Sequence, residues 1–380
     1  MKSLHALSFP ERQALLSKFC TQNFVNLFAK NNLPDSVGEK NCENWVGSVA
    51  VPVGVAGPIN FTLENKQYES YLPLATTEGA LVASVNRGLK ILNKNNNLRI
   101  SVKKHGMSRA PVFACQDLDT ALLLEKFIQD NFTKIKSVAE KTSRHLQYLS
   151  CQVFIRGKYL YARFLFDTDE AMGMNMTTIA TQAIATFLED KFKNIKLLAL
   201  SSNVCCDKKD SSINGILGRG YEAQLEIVLA EKLVEKILKS KIDKLIKVHT
   251  QKNLVGSNIA GSLSQNAHVA NVMAAIFIAT GQDPAHVVEA SKAYLHLEKS
   301  AKNLYVSLTL PNLNMGTVGG GTYLPAQSEA RNLIGKNLSA RELVAATAVA
   351  ALAGELSLLA SLAEHNLACS HQQLGRSHVN

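Results

Sequence analysis

No Gly-x-Gly-x-x-Gly turn follows a strand in this sequence and no Gly-Lys-Ser/Thr loop occurs, so a nucleotide would have to be held without a Rossmann turn or a P-loop. Zinc frameworks are missing too: Cys205 and Cys206 are adjacent, with no second pair at ligand spacing. The seven cysteines are odd in number and scattered, which argues against a disulfide scaffold and for a reduced, cytoplasmic protein. Pro10, Glu11 and Arg12 interrupt the start before a signal peptide's apolar core could form. There is no dense basic arm interleaved with aromatics, so the formal charge of +10 does not point to nucleic acid. A phosphorylated small molecule and a merely solvated basic surface fit that charge equally well. One apolar run, 343–363, has the length of a membrane span, but it is alanine-rich, is interrupted by Glu355 and opens on a capping box of Ser339 and Glu342. It reads as a buried helix of a soluble protein.

What is present is ample apolar material, 46% of 380 residues, enough for one large domain or two ordinary ones. The fold class read from the pattern is α+β. Residues 110–199 form a unit of their own. "PVFAC" reads as a strand and "LDTALLLEKFIQDNF" as a helix. "LQYLSCQVFIRG" and "KYLYARFLFD" are β-rich runs, a helix starts near Asn175, and "KLLALS" is a last strand. That order, β-α-β-β-α-β, is the ferredoxin-like one. The flanks, 1–109 with its helical amino-terminal part (1–42) and 200–380, must then make a large helix-rich domain interrupted by the small one. Within it, 230–249 reads as one amphipathic helix with Leu233, Ile237, Leu238, Ile242, Leu245 and Ile246 on the apolar face.

Two glycine-rich stretches, "MGMNM" (172–176) and "GTVGGGT" (316–322), permit close backbone approach. A helix beginning near Asn175 would offer free N–H groups to a pyrophosphate. The cluster "CCDKKD" (205–210) is neither a metal site nor a disulfide by the arguments above. A solvated turn and a cation placed beside something reactive both remain open for it.

Taken together, several stretches resemble the 3-hydroxy-3-methylglutaryl-coenzyme A (HMG-CoA) reductase family. They are "ENWVGSVAVPVGVAGP" (43–58), "LATTEGALVASVNRG" (74–88), "GMSRAPV" (106–112), "EAMGMNM" (170–176), "DKK" (207–209), "KNLVGS" (252–257), "NAHVAN" (266–271), "GQD" (281–283), "GTVGGGT" and "AGELSLLASLA" (353–363), in the family's order. The wording of "TTEGALVAS" and "DKK" is similar to the biosynthetic, NADP-using branch. An NAD-dependent degradative reductase and a catalytically silent CoA-binding protein are the competing readings.

The resemblance implies reduction of HMG-CoA to mevalonate and CoA by two NADPH, without metal, nucleic acid or membrane. It also implies a homodimer with active sites at the subunit interface, with room for a homotetramer. In it Lys208 is the cation that stabilises the carbonyl oxygen, Glu78 the proton donor to the aldehyde oxygen, which requires burial, Asp283 the residue coupling these two, and His371 the acid for the CoA thiolate. Arg109, Ser201, Asp207, Lys209, Lys252 and Asn271 would surround the substrate, and Ser84, Asn86, Arg87 and Lys90 would touch CoA. For the cofactor it implies Ser143 and Arg144 at the 2′-phosphate, with Glu170, Met172, Gly173, Met174, Asn175, Gly319 and Gly320 along the rest. Glu170 stands where the family usually has Asp. Ser377 follows His371 at the interval of a regulated serine in eukaryotic members.

Overall fold

Period-two alternation builds the central sheet. In β10 (Asn303–Leu313) every second side chain, Leu304, Val306, Leu308 and Leu310, is fully buried while the residues between them are half-exposed, the mark of a strand with one face on the core. The computed structural model describes residues 7–17, 33–95 and 97–365; His371 and Ser377 lie outside them.

After helices α1 (Phe9–Leu16) and α2 (Val37–Lys40), β1 (Val53–Leu63) and β2 (Lys66–Ala75) form a two-stranded antiparallel sheet. Helix α3 (Leu81–Asn95) leads to β3 (Arg99–Arg109). Then come β4 (Val112–Cys115), α4 (Leu118–Asp130), α5 (Phe132–Glu140), β5 (Gln147–Arg156), β6 (Tyr159–Asp167), α6 (Met174–Lys191) and β7 (Ile195–Ala199). The chain returns through α7 (Ser212–Leu217), β8 (Gly220–Leu229), α8 (Ile242–Val248), α9 (Val269–Thr280), β9 (Tyr294–Ser300), β10, α10 (Pro325–Ile334) and α11 (Ala340–Ala363). Eight strands make one antiparallel sheet ordered β7-β4-β6-β3-β8-β10-β9, with β5 on the other edge of β6.

Strand β3 is the junction. Its first part pairs with β8, and Met107, Ser108 and Arg109 then pair with β6. The switch falls at Gly106, whose φ is +93°; a Cβ there would stand 2.5 Å from the Phe166 carbonyl oxygen, so only glycine fits. The part that follows, 112–199, has an apolar core of its own around Phe113, Leu124, Ile135, Tyr148, Phe164 and Ile184. A second, larger core lies under α3, α9 and α11.

Helix α11 is buried on every side. Its capping box is formed, with Glu342 N–H donating to Ser339 Oγ at 3.2 Å and Ser339 N–H to Glu342 Oε2 at 2.8 Å. Among the described residues it is the one helix long and apolar enough to cross a membrane, and the rest of the fold covers it.

Two expectations need correction. The stretch 230–249 is not one helix: its first half winds into a π-turn (Val234–Leu238), Lys239 takes a left-handed φ of 59°, and α8 starts afresh at Ile242. Val234, Leu238, Ile242 and Leu245 still reach the core, so the apolar stripe survives the break. The flanking part is also less helical than its apolar runs suggest, since β1, β2, β3, β8, β9 and β10 all come from it.

Candidate active site

The loop after β7 carries Asp207 and Lys208 into contact with the segment after α9. Three non-glycine residues in it, Asn203, Cys206 and Lys208, have left-handed φ values of 67°, 54° and 59°. Each costs about 1–2 kcal/mol against an ordinary conformation, so the surrounding bonds must hold the loop. Ser202 N–H donates to Ala110 O at 2.8 Å, Ser108 Oγ to Cys205 O at 3.1 Å, and Lys208 N–H to Glu289 Oε1 at 2.7 Å. The Ser211 hydroxyl then accepts from Asn214 N–H to cap α7.

On the facing side, α9 ends at Gly281 in the left-handed conformation, and Asp283 caps the following 3-10 turn by accepting from Ala285 N–H at 3.0 Å. The cap frees the other carboxylate oxygen for Lys208, whose Nζ lies 2.9 Å away. Burial would raise the Asp283 carboxyl, but the Lys208 and Ala285 bonds and the nearby His286 hold it below the ordinary carboxylate value. Lys208 and Asp283 are therefore a charged pair, half open to solvent, with side-chain exposures of 43% and 31%.

Behind this pair lies a buried network that pattern reasoning did not single out. Arg219, fully buried, donates from Nη1 to both oxygens of buried Glu289 at 2.7 and 2.9 Å, and from Nη2 to Asp207 Oδ1 at 3.3 Å. His286 Nδ1 is 3.2 Å from Glu289, and its Nε2 faces Asp207 and Asp283 at 3.6 and 3.7 Å. Arg109 Nη1 reaches the other oxygen of Asp207 at 3.4 Å. Asp207, His286 and Glu289 bring their ligand atoms within 4.8 Å of one another, a spacing that could suit a cation. The Arg219 guanidinium already holds both Glu289 oxygens and reaches Asp207, so the positive charge these carboxylates require comes from the chain itself.

Of the other substrate candidates, Ser201 Oγ is 3.2 Å from Cys205 Sγ and exposed Lys209 donates from Nζ to the carbonyl of Asp207, two residues before it, at 3.3 Å. Lys252 acts on a second cluster around Glu355, and Asn271 N–H donates to His268 O at 2.9 Å beside it. That carboxylate, fully buried in α11, accepts the Ala267 and His268 N–H groups at 2.7 Å each, directly before Asn271's turn. Burial raises its pKa, opposed by His268, the two N–H bonds and the Lys252 charge. Glu355 figured in the sequence only as an interruption of an apolar run; its long-range backbone partners leave no local signal.

Glu78 is exposed in the turn before α3, its N–H bonded to Thr76 Oγ1 at 3.0 Å. The burial expected of it is not supplied by this chain, and among the described residues no bond joins its carboxylate to Lys208 or Asp283. His371 lies outside the described residues. On α3, Ser84 Oγ and Arg87 Nε both bond Ser357 Oγ of α11 at 2.9 Å, Asn86 Oδ1 accepts from Gly57 N–H at 2.8 Å, and Lys90 is exposed. These bonds dock α3 on α11 and β1.

The nucleotide candidates gather at the start of α6. Gly173 is its N-cap with φ +91° and no side-chain cap, which leaves the first-turn N–H groups of Met174, Asn175 and Met176 open. Met172 lies against Gly316, where a Cβ would come within 2.4 Å of the Met172 nitrogen. Glu170 spans the same junction: Oε2 accepts from Thr317 Oγ1 at 3.0 Å and from Ala340 N–H at 2.5 Å, tying this turn to the glycine loop and to the first turn of α11. Gly319 and Gly320 are exposed with positive φ, and nothing would meet a Cβ on Gly319. Arg144 is exposed, with Nε 3.1 Å from His145 Nε2, and Ser143 Oγ accepts from His145 N–H. An open helix start, a glycine loop and an exposed guanidinium suit a dinucleotide phosphate.

A family model described as hydroxymethylglutaryl-coenzyme A reductase matches residues 8–376. The chain is 44% identical over 365 residues to 3-hydroxy-3-methylglutaryl-coenzyme A reductase of Haloferax volcanii, covering 94% of this chain and 90% of that protein. It is also 44% identical to the Methanocaldococcus jannaschii protein of the same name over 348 residues, 89% of this chain and 85% of that one. Among solved structures, the class II enzyme of that name from Streptococcus pneumoniae, bound to NADPH in open conformations, aligns with a TM-score of 0.71 over 94% of this chain and 98% of that chain. At 21% identity, that likeness is one of fold.

Proposed function

The chain belongs to the hydroxymethylglutaryl-coenzyme A reductase family, and from that premise we propose that it reduces HMG-CoA to mevalonate and CoA with two NADPH, in the biosynthetic, NADP-using branch. The observation that carries the reading is the Lys208–Asp283 pair: an ammonium held 2.9 Å from a carboxylate, on a loop fixed by buried bonds and open on one side. Hydride addition to a thioester turns the carbonyl oxygen into an anion, and a cation already in place stabilises that charge with no reorganisation, a contribution of roughly 3 kcal/mol for one donor. Lys208 supplies that cation. Arg109 and Lys209, with Ser201 and Asp207, receive the substrate's carboxylate and hydroxyl beside it.

Bound NADPH would supply the hydrides, one for the thioester and one for the aldehyde released when CoA leaves. The chain supplies the protons: Glu78 to the aldehyde oxygen and His371 to the CoA thiolate, a task suited to an imidazole titrating near pH 6.5. Ser143 and Arg144 receive the adenosine 2′-phosphate and the first turn of α6 the pyrophosphate, while Lys252 joins the residues around the substrate's carboxylate and hydroxyl and Asn271 supports the acid network. Ser84, Asn86, Arg87 and Lys90 form the approach for CoA. We read 110–199 as a ferredoxin-like cofactor domain inserted in a large domain of 1–109 and 200–380. The strand order β7-β4-β6-β5 and the separate apolar core support that reading. On this reading the protein acts as a cytoplasmic, soluble homodimer whose sites lie between subunits, with room for a homotetramer. The exposed Arg144 guanidinium, available for a 2′-phosphate that NADH lacks, supports the NADP-using branch.

The deciding experiment adds HMG-CoA to the purified protein and follows NADPH oxidation while identifying the product. Mevalonate formed with two NADPH consumed is the expected result. No turnover would leave a CoA-binding protein, and faster turnover with NADH would move the chain to the degradative branch.

A further inference from the structure

Glu289 sits in a one-turn helix (Val287–Ala290) behind the site, has no exposure, and takes part in none of the chemistry assigned above. Its carboxylate is nevertheless the most heavily engaged acid near the site. Oε1 accepts the Lys208 backbone N–H at 2.7 Å and Arg219 Nη1 at 2.7 Å, and Oε2 accepts Arg219 Nη1 at 2.9 Å and Asn214 Nδ2 at 2.9 Å. His286 Nδ1 closes the ring at 3.2 Å. Burial alone would raise the Glu289 carboxyl; these bonds and the charge of Arg219 hold it low and ionised.

A buried ion pair is weak grounds for stability, because taking both charges out of water offsets their attraction, and an apolar pair of the same volume would fill the space as well. The geometry gives this one another use. Lys208 is in the left-handed region, where a lysine does not rest unaided, and among the described residues the partner of its backbone N–H is Glu289. From that conformation its side chain reaches Asp283. We propose that Glu289 is the positioning residue for Lys208. Its carboxylate, fixed from behind by Arg219 and Asn214, holds the Lys208 backbone in the left-handed conformation that aims the ammonium at Asp283 and the reacting carbonyl. The role rests on the reading of Lys208 as the oxyanion cation.

The variant that separates this role from simple ion pairing is Glu289→Asp. It keeps the buried charge for Arg219 but withdraws the carboxylate by one methylene from the Lys208 N–H. The full-length protein is compared with wild type by hydrogen exchange at the Lys208 amide, by thermal unfolding and by reductase kinetics. We expect the Lys208 amide to exchange at least about tenfold faster while the amides of the core strands keep their protection. We expect kcat to fall at least about tenfold, with KM for HMG-CoA and for NADPH within about twofold of wild type. The double variant Glu289→Asp/Lys208→Ala should be no slower than Lys208→Ala alone, because a residue acting through Lys208 has nothing left to position. Unchanged exchange at Lys208, an unchanged kcat, or losses that multiply in the double variant would each overturn the proposal. Should Glu289→Asp fail to fold, Asn214→Ala loosens the same carboxylate from its other oxygen and is read by the same exchange and kinetic criteria. If the wild-type protein shows no HMG-CoA reduction, the functional reading falls, while exchange at the Lys208 amide still decides whether Glu289 anchors it.

Discussion

At the scale of single residues, the site separates charges by what they touch. Lys208 is half-exposed and paired on one side only, so its ammonium can serve a substrate oxygen; Arg219 is fully buried and wholly engaged, so it cannot. Lys208→Ala should therefore lower kcat by about a hundredfold or more while substrate binding weakens much less, because the lost cation acts on charge that develops only in the transition state. Steady-state kinetics on a variant with wild-type unfolding temperature makes the comparison, and near-normal turnover would end the oxyanion role. Arg144 is exposed and carries no ion pair among the described residues, which leaves its guanidinium available for a phosphate. In Arg144→Ala the ratio of kcat/KM for NADPH to that for NADH should drop by roughly tenfold, since NADH has no 2′-phosphate to lose. An unchanged ratio would remove Arg144 from the cofactor site. Lys208 and Asp283 were legible in the sequence only through the family motifs "DKK" and "GQD". Alone, the first reads as a solvated turn and the second as a cap, and Asp283 does also cap a turn. Glu289, His286 and Arg219 were not legible, because a glutamate in "VVEAS" looks like any helix-end charge until a residue far along the chain supplies its partner.

Elements were legible where periodicity was clean. The four strands of 112–199 and the helices α4 and α6 fall within a few residues of their expected places because alternation, the Arg156-Gly157-Lys158 turn and the glycine before α6 all mark boundaries locally, whereas α5 (Phe132–Glu140) was not expected. The break in 230–249 carries no such mark: neither proline nor glycine interrupts "EKILKSKIDK", and the left-handed turn at Lys239 arises because core contacts hold both halves. Packing between elements is set by residues that look unremarkable in sequence. Gly88 of α3 meets α11 so closely that a Cβ would stand 1.9 Å from the Ala353 carbonyl oxygen, a backbone atom that cannot swing away. Gly88→Ala should force α3 off α11 and destabilise the fold by about 1–3 kcal/mol, against the small gain that Gly→Ala gives in an open helix. Chemical denaturation of the two proteins measures the difference; a variant as stable as wild type would mean that the two helices part without cost. Because Ser84 and Arg87 reach Ser357 across this same contact, the change should also weaken CoA binding.

At the scale of the whole molecule, the open question is where Glu78 meets Lys208. One chain holds Lys208 against Asp283 and leaves Glu78 exposed in a turn, with no bond between them, although the proposed chemistry needs both at one carbonyl carbon. The homodimer proposed above would resolve this, since each subunit would present the same surfaces and could lend its Glu78 turn to the lysine loop of the other while burying the carboxyl that one chain leaves in water. Mixing two inactive variants tests the arrangement. If each site takes Glu78 from one subunit and Lys208 from the other, a dimer of one Glu78→Gln chain and one Lys208→Ala chain has both lesions in one site and none in the other. Random pairing makes about half of the dimers mixed, so co-expressing the two variants in equal amounts should restore about a quarter of wild-type turnover. If each chain built its own site, every site in every dimer would carry one lesion, and the mixture would stay as inactive as its parents. Restored activity that vanishes when the chains are kept apart would place the catalytic acid and the oxyanion cation on different subunits.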